Sequence, residues 1–120
     1  MAENEARITA ILQMLAADPI KLEGDPSKGY ARLVVRERKT QFSSEANADY
    51  EQYTLAYAIP LKRSGQVKLD LATDDVKDAP KRFAPLLMAS GDRTRVVVTK
   101  NAVKTPRALL EWIAKQKASA

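Results

Sequence analysis

Residues 50–61 read YEQYTLAYAIPL, with Tyr53, Leu55, Tyr57, Ile59 and Leu61 alternating with Gln52, Thr54, Ala56, Ala58 and Pro60. A period of two is the signature of a strand with two unlike faces and is incompatible with a helix, whose apolar residues recur every three or four. The larger apolar side chains of this strand are expected on its buried face. Two neighbours extend the pattern. Residues 29–42 place Ala31, Leu33 and Val35 on one side and Tyr30, Arg32, Val34, Arg36, Arg38, Thr40 and Phe42 on the other. Residues 66–71 point Val67, Leu69 and Leu71 one way and Lys68 and Asp70 the other. Gly65 in Arg63-Ser64-Gly65 suits a tight turn between the second and third strands. The polar stretch 43–49 joins the first two. Short links between successive strands make an antiparallel meander.

The flanks read mainly as helix. Ile8, Ile11, Leu12 and Leu15 follow the i, i+3, i+4, i+7 spacing of one apolar stripe. That helix is expected from about Glu5, with Asn4 as its N-cap. Asp18-Pro19 stops it, because the residue before proline is pushed out of the α region. Ile20 and Leu22 can form a short extended piece at the sheet edge. Residues 78–90 read as a helix broken at Pro85, with Phe83, Leu86, Leu87 and Met88 as its apolar contacts. Residues 93–100 alternate again as a fourth strand. Thr105-Pro106 marks a helix start, with Leu109, Leu110 and Ile113 buried and Arg107, Glu111 and Lys115 as an exposed charge ladder. The order is α-β-β-β-α-β-α. It defines an α+β fold: an antiparallel meander with helices packed mainly on one face. The length, 120 residues, fits one domain spanning 1–120, with frayed ends at about 1–4 and 117–120.

Composition closes off several classes of function. The chain has no cysteine and no histidine, so it has neither a thiol nucleophile nor the commonest general base and transition-metal ligand. It has no GxSxG, no Ser-x-x-Lys and no glycine-rich phosphate loop. Asp74-Asp75, with Asp70 and Asp78 nearby, is the one carboxylate group able to hold a cation, and a loop-to-helix boundary explains it as well. The sequence therefore reads as a non-enzyme without cofactor or metal. No apolar run approaches a membrane span and no basic-then-apolar leader is seen, so a cytoplasmic location without membrane contact is expected.

Charge points to a partner. The net charge is +5 and unevenly spread: residues 1–26 carry −3, residues 27–42 carry +4 and residues 91–120 carry +5. In the meander, Arg32, Arg36, Arg38 and Lys68 fall on the face opposite the core, with Tyr30, Phe42 and Tyr50 at its ends. Cations that neutralise phosphates beside aromatic rings that stack on bases are the groups a single-stranded nucleic acid requires. Arg93, Arg95, Lys100, Lys104 and Arg107 form a second basic cluster across a strand, a loop and a helix start. The expected function is non-catalytic binding of single-stranded DNA or RNA. The alternative is a structural or adaptor protein, a homo-oligomer or a subunit of a larger assembly, working through its edge strands, its first helix and a small-residue face carrying Ala56 and Ala58.

Overall fold

A computed structural model of the protein describes residues 2–29, 31–38 and 50–118. Six strands form one antiparallel sheet: β1 (Lys21–Gly24), β2 (Ala31–Arg38), β3 (Tyr50–Leu61), β4 (Gln66–Ala72), β5 (Met88–Ser90) and β6 (Arg93–Val98). Their order across the sheet is β1-β2-β3-β4-β6-β5. Three helices accompany them: α1 (Ala2–Leu15), the single turn α2 (Thr73–Val76) and α3 (Lys104–Ala118). The fold is α+β, with the meander β2-β3-β4 at its centre. The short edge piece near Leu22 is β1. Strand β5 emerges from the end of the segment expected to be a broken helix; a 3₁₀ stretch, Lys81–Leu86, takes the rest. Pro85 lies inside that stretch, where its missing N–H would break an α-helix.

The helices cover one face, which we call inner. α1 packs on β4, α3 packs on β3, and the two helices touch. Ile8, Ile11, Leu12 and Leu15 of α1 and Leu109, Leu110 and Ile113 of α3 join Leu33, Val67, Leu69, Leu71, Val96 and Val98 in one buried cluster. Phe83 of the 3₁₀ stretch is fully buried in it. Thr94 is the one polar residue closed off among the described residues, and its hydroxyl lies 2.9 Å from that of Thr73. Met88, expected to make apolar contacts, is 61% exposed on the edge strand.

α1 begins three residues earlier than the capping pattern suggests. Asn4 is inside the helix rather than at its cap. Its side-chain amide donates to the carbonyl oxygens of Lys62 and Arg63 at 3.1 Å each, fastening α1 to the β3–β4 turn. Gly65 in that turn has φ +71°, and a Cβ there would lie 2.9 Å from Asn4 Oδ1. Both the backbone and the close approach require glycine.

The main departure from the sequence reading is inside β3. Ala56 pairs with Leu33, but the next pair along is Thr54 with Val34, so Leu55 is an extra residue without a partner in the β2 ladder. This is a β-bulge, two residues opposite one. It reverses the phase of the strand. Tyr53, opposite Val35, stays on the inner side. Leu55 and Ala56 are both buried in the core, followed on that side by Ala58. Tyr57 and Ile59, expected in the core, therefore face outward. Ala56 and Ala58, expected outside, lie on the face that α3 covers, and they offer no small-residue surface for a partner.

Candidate nucleic-acid interface

The bulge assembles the outer face. Residues directly opposite in an antiparallel ladder project on the same side. Following the register across the sheet gives one row through all six strands: Glu23, Arg32, Tyr57, Asp70, Arg95 and Met88. On one flank lie Ile59, Lys68 and Val97. On the other lie Val34 with Thr54, and Arg93 with Ser90. Successive rows are separated by about 7 Å, two residues of strand rise. None of the described helices covers this face.

Tyr57 stands at the middle of the row, half-buried. The Arg93 guanidinium carbon is 5.8 Å from its ring centroid, within cation–π range. Arg93 Nε also donates to Asp70 Oδ1 at 2.8 Å, and Nη2 donates to the Asp70 carbonyl oxygen at 3.3 Å. Asp70 thus holds Arg93 beside the tyrosine. Arg32, across from Tyr57, pairs with Glu23 and donates to Thr54 Oγ1 at 3.4 Å. Arg36 donates to Gln52 Oε1 at 3.0 Å. Lys68 and Arg95 make no ion pair with a described carboxylate. The partners of Arg32 and Arg93 are half-exposed surface ion pairs, each worth about 0–1 kcal/mol, and leave the guanidinium planes close to the solvent.

The twelve residues singled out from the sequence divide into groups. Arg32, Arg36, Lys68, Arg93 and Arg95 share the outer face. Tyr30 and Phe42 lie outside the described residues. Arg38 and Tyr50 are paired with each other at the end of the β2–β3 ladder. Lys100 on the connection after β6 and Lys104 at the first position of α3 are exposed, apart from the row. Arg107 belongs elsewhere. Its side chain is only 16% exposed. Nη1 donates to the carbonyl oxygens of Leu15 at 2.7 Å and Met14 at 3.4 Å, and Nη2 to that of Asp18 at 3.1 Å. Nε donates to Glu111 at 2.9 Å. The last carbonyls of a helix have no partner of their own and carry partial negative charge. Arg107 satisfies them and so joins α3 to the end of α1.

Sequence reasoning missed Tyr57 because it assigned the bulky residues of β3 to the core. The spread of large apolar residues over one phase and alanines over the other concealed the extra residue. The aspartates also resolve: Asp75 pairs with Lys117 at 3.3 Å, and no cluster of three potential metal ligands occurs among the described residues. No described helix is long and apolar enough to cross a membrane.

Fold and site together define a two-layer α+β protein with one helix-covered sheet face and one cation-rich face that no described helix covers. No protein-family model, curated protein or solved structure matches the chain.

Proposed function

We propose that the outer sheet face binds single-stranded nucleic acid without catalysis. The observation that carries this reading is Tyr57 in the centre of a face that no described helix covers, with Arg93 against its ring and Arg32, Lys68 and Arg95 around it. A base stacks on the tyrosine or on the guanidinium plane beside it, and the surrounding cations take the phosphates. A sheet about 24 Å wide, at the usual strand spacing of ~4.8 Å, is broad and shallow. It suits a flexible strand whose bases are exposed better than a duplex groove. Lys68 and Arg95, unpaired with any described carboxylate, supply the strongest phosphate contacts, because no intramolecular ion pair has to open.

The test is a titration of a fluorescein-labelled oligothymidylate of ~12 nucleotides, within the span such surfaces cover. Binding is expected at low salt and falls as salt rises, with a log–log slope of about −0.7 per phosphate contacted. Tyr57→Ala is expected to weaken binding by about 1–3 kcal/mol, the range for one stacked base. Absence of binding at low salt, or equal affinity in Tyr57→Ala and in the Lys68→Ala/Arg95→Ala pair, overturns the reading.

A further inference from the structure

The covered side of the sheet is not fully covered. α3 sits on β3 and α1 on β4, and between α1 and the β1 end of the sheet the layer is open. An open groove of about 640 Å³ remains there. Ile8 and Leu12 of α1, with Ala16 just after it, form one wall, Leu22 of β1 and Pro26 the other, and Pro60 lies between them. Leu22 is 36% exposed, high for a leucine on the core side of a sheet. The groove falls within the ~300–1,000 Å³ typical of binding sites and is predominantly apolar, as such sites are. We propose that it seats an amphipathic helix of a partner protein, with lysines or arginines along one margin.

The helical character follows from the α1 wall. Its lining residues form two parallel rows at i+4 spacing: Glu5, Thr9 and Gln13, and Ile8, Leu12 and Ala16. Ile8 and Leu12 are turned into the core, so Glu5, Thr9 and Gln13 form the accessible ridge against which a second helix fits, at an axial separation of ~8–10 Å. The wall from Glu5 to Ala16 is about 16 Å long, three helical turns. A helix laid beside α1 would complete the layer over the sheet.

The positive margin follows from the rim. Glu5 and Asp25 stand at the opening, with Lys62 as the single cation lining the groove. Asp25 is fixed in place: its Oδ1 accepts from Ser27 N–H at 3.0 Å and from Ser27 Oγ at 2.7 Å. These bonds favour the carboxylate and hold its pKa below the ordinary aspartate value. The groove belongs to the region of residues 1–26, net −3 in a chain of +5. Its charge repels phosphate and attracts a basic segment. The occupant comes from another protein, since α1 and α3 both bury their apolar stripes in the core and a second copy has no described helix to offer.

The test uses the full chain and a labelled peptide of ~14 residues, four helical turns, with leucines at i, i+3, i+4 and i+7 and lysines elsewhere. A companion peptide carries glutamates in place of the lysines. The leucine–lysine peptide is expected to bind in an anisotropy titration, despite the like net charge of the protein. It should shift backbone amide resonances of residues 5–16 and 22–27. Thr9→Lys/Leu22→Lys, both at accessible positions, should weaken binding at least ~10-fold, a loss of about 1.4 kcal/mol, while circular dichroism and oligothymidylate affinity stay unchanged. Single Thr9→Lys provides the same readout should the pair fail to fold. No binding of the leucine–lysine peptide, equal binding to the variants, shifts confined to other surfaces, or equal capture of the glutamate peptide in the same groove overturns the proposal.

Discussion

On the inner face of the sheet, Leu33, Leu69, Leu71, Val96 and Val98 are closed off beneath α1, α3 and Phe83. On the outer face, Arg32, Lys68, Asp70, Arg95 and Val97, next to them in sequence, remain within reach of solvent, and Val34 alone of the paired outer residues named above is closed off. The contrast extends to the arginines. Arg107, at the helix layer, has its donors aimed at three main-chain carbonyls and one carboxylate. Arg93, on the outer face, is held by one aspartate beside a ring, and Arg95 makes no described ion pair. Equal charges therefore have unequal roles. Burial and saturated hydrogen bonding make an arginine part of the framework; exposure with few partners leaves it able to meet an anion.

The comparison can be broken from either side. The largest effect is expected from Phe83→Ala, which empties a fully enclosed site of the inner face. It should cost about 3–5 kcal/mol in urea unfolding, the usual range for a buried aromatic, and leave oligothymidylate affinity of the folded fraction unchanged. A loss below ~1 kcal/mol, the level of an accessible position, would place the 3₁₀ stretch outside the core. Next comes Arg107→Ala, which leaves the α1 carbonyls without their donor and should destabilise by about 1–3 kcal/mol. Its affinity for oligothymidylate should match the wild type, whereas Arg95→Ala should show the reverse pattern. Arg107→Lys recovers only part of the loss, because one ammonium cannot reproduce a planar fork reaching several oxygens. A fall in affinity with no change in stability for Arg107→Ala would merge the two classes of arginine.

The smallest effect sharpens the contrast through pH. Asp25 has its pKa lowered in the fold by the hydrogen bonds from Ser27. A depressed carboxylate contributes stability above its unfolded pKa and loses it as pH falls through the folded value. The stability gap between wild type and Asp25→Asn should thus be widest near neutrality and shrink on the acid side of 3.8. Thermal unfolding at several pH values measures it; a gap that widens on acidification would contradict the hydrogen-bonded carboxylate.

Much of the fold was legible because each element carries its own period. The α1 stripe, the alternation of β4 and β6, and Leu109, Leu110 and Ile113 all point where the pattern places them. What escaped notice is long-range or depends on one residue. Nothing near Arg107 discloses that its partners lie 89–93 positions earlier; its i+4 relation to Glu111 suggested a surface ladder, and that pair exists as well. Strand β5 is three exposed residues without alternation, so only pairing with β6 defines it. Of the candidate interface, Arg32, Arg36 and Lys68 could be read from the phase of the meander, and Arg93 and Arg95 as a second basic cluster that only the β4–β6 pairing joins to it. Tyr57 could not, since either phase of β3 supplies apolar residues and size favoured the wrong one.

The extra residue at Leu55 also fixes how this chain tolerates insertions and deletions. Removing Leu55 itself would join Thr54 to Ala56 in strict alternation, keep every β2 partner and leave Tyr57 outside. Adding one codon between Ala56 and Tyr57 is different: with the β2 pairing before it kept, every later residue of β3 would turn over, Tyr57 toward α3 and Ala58 outward. Two-residue changes would preserve sidedness and shift only the registry with β4. The surface proposed to recognise nucleic acid is therefore maintained by a count as much as by chemistry, and variants that conserve every arginine can still lose it through one added residue.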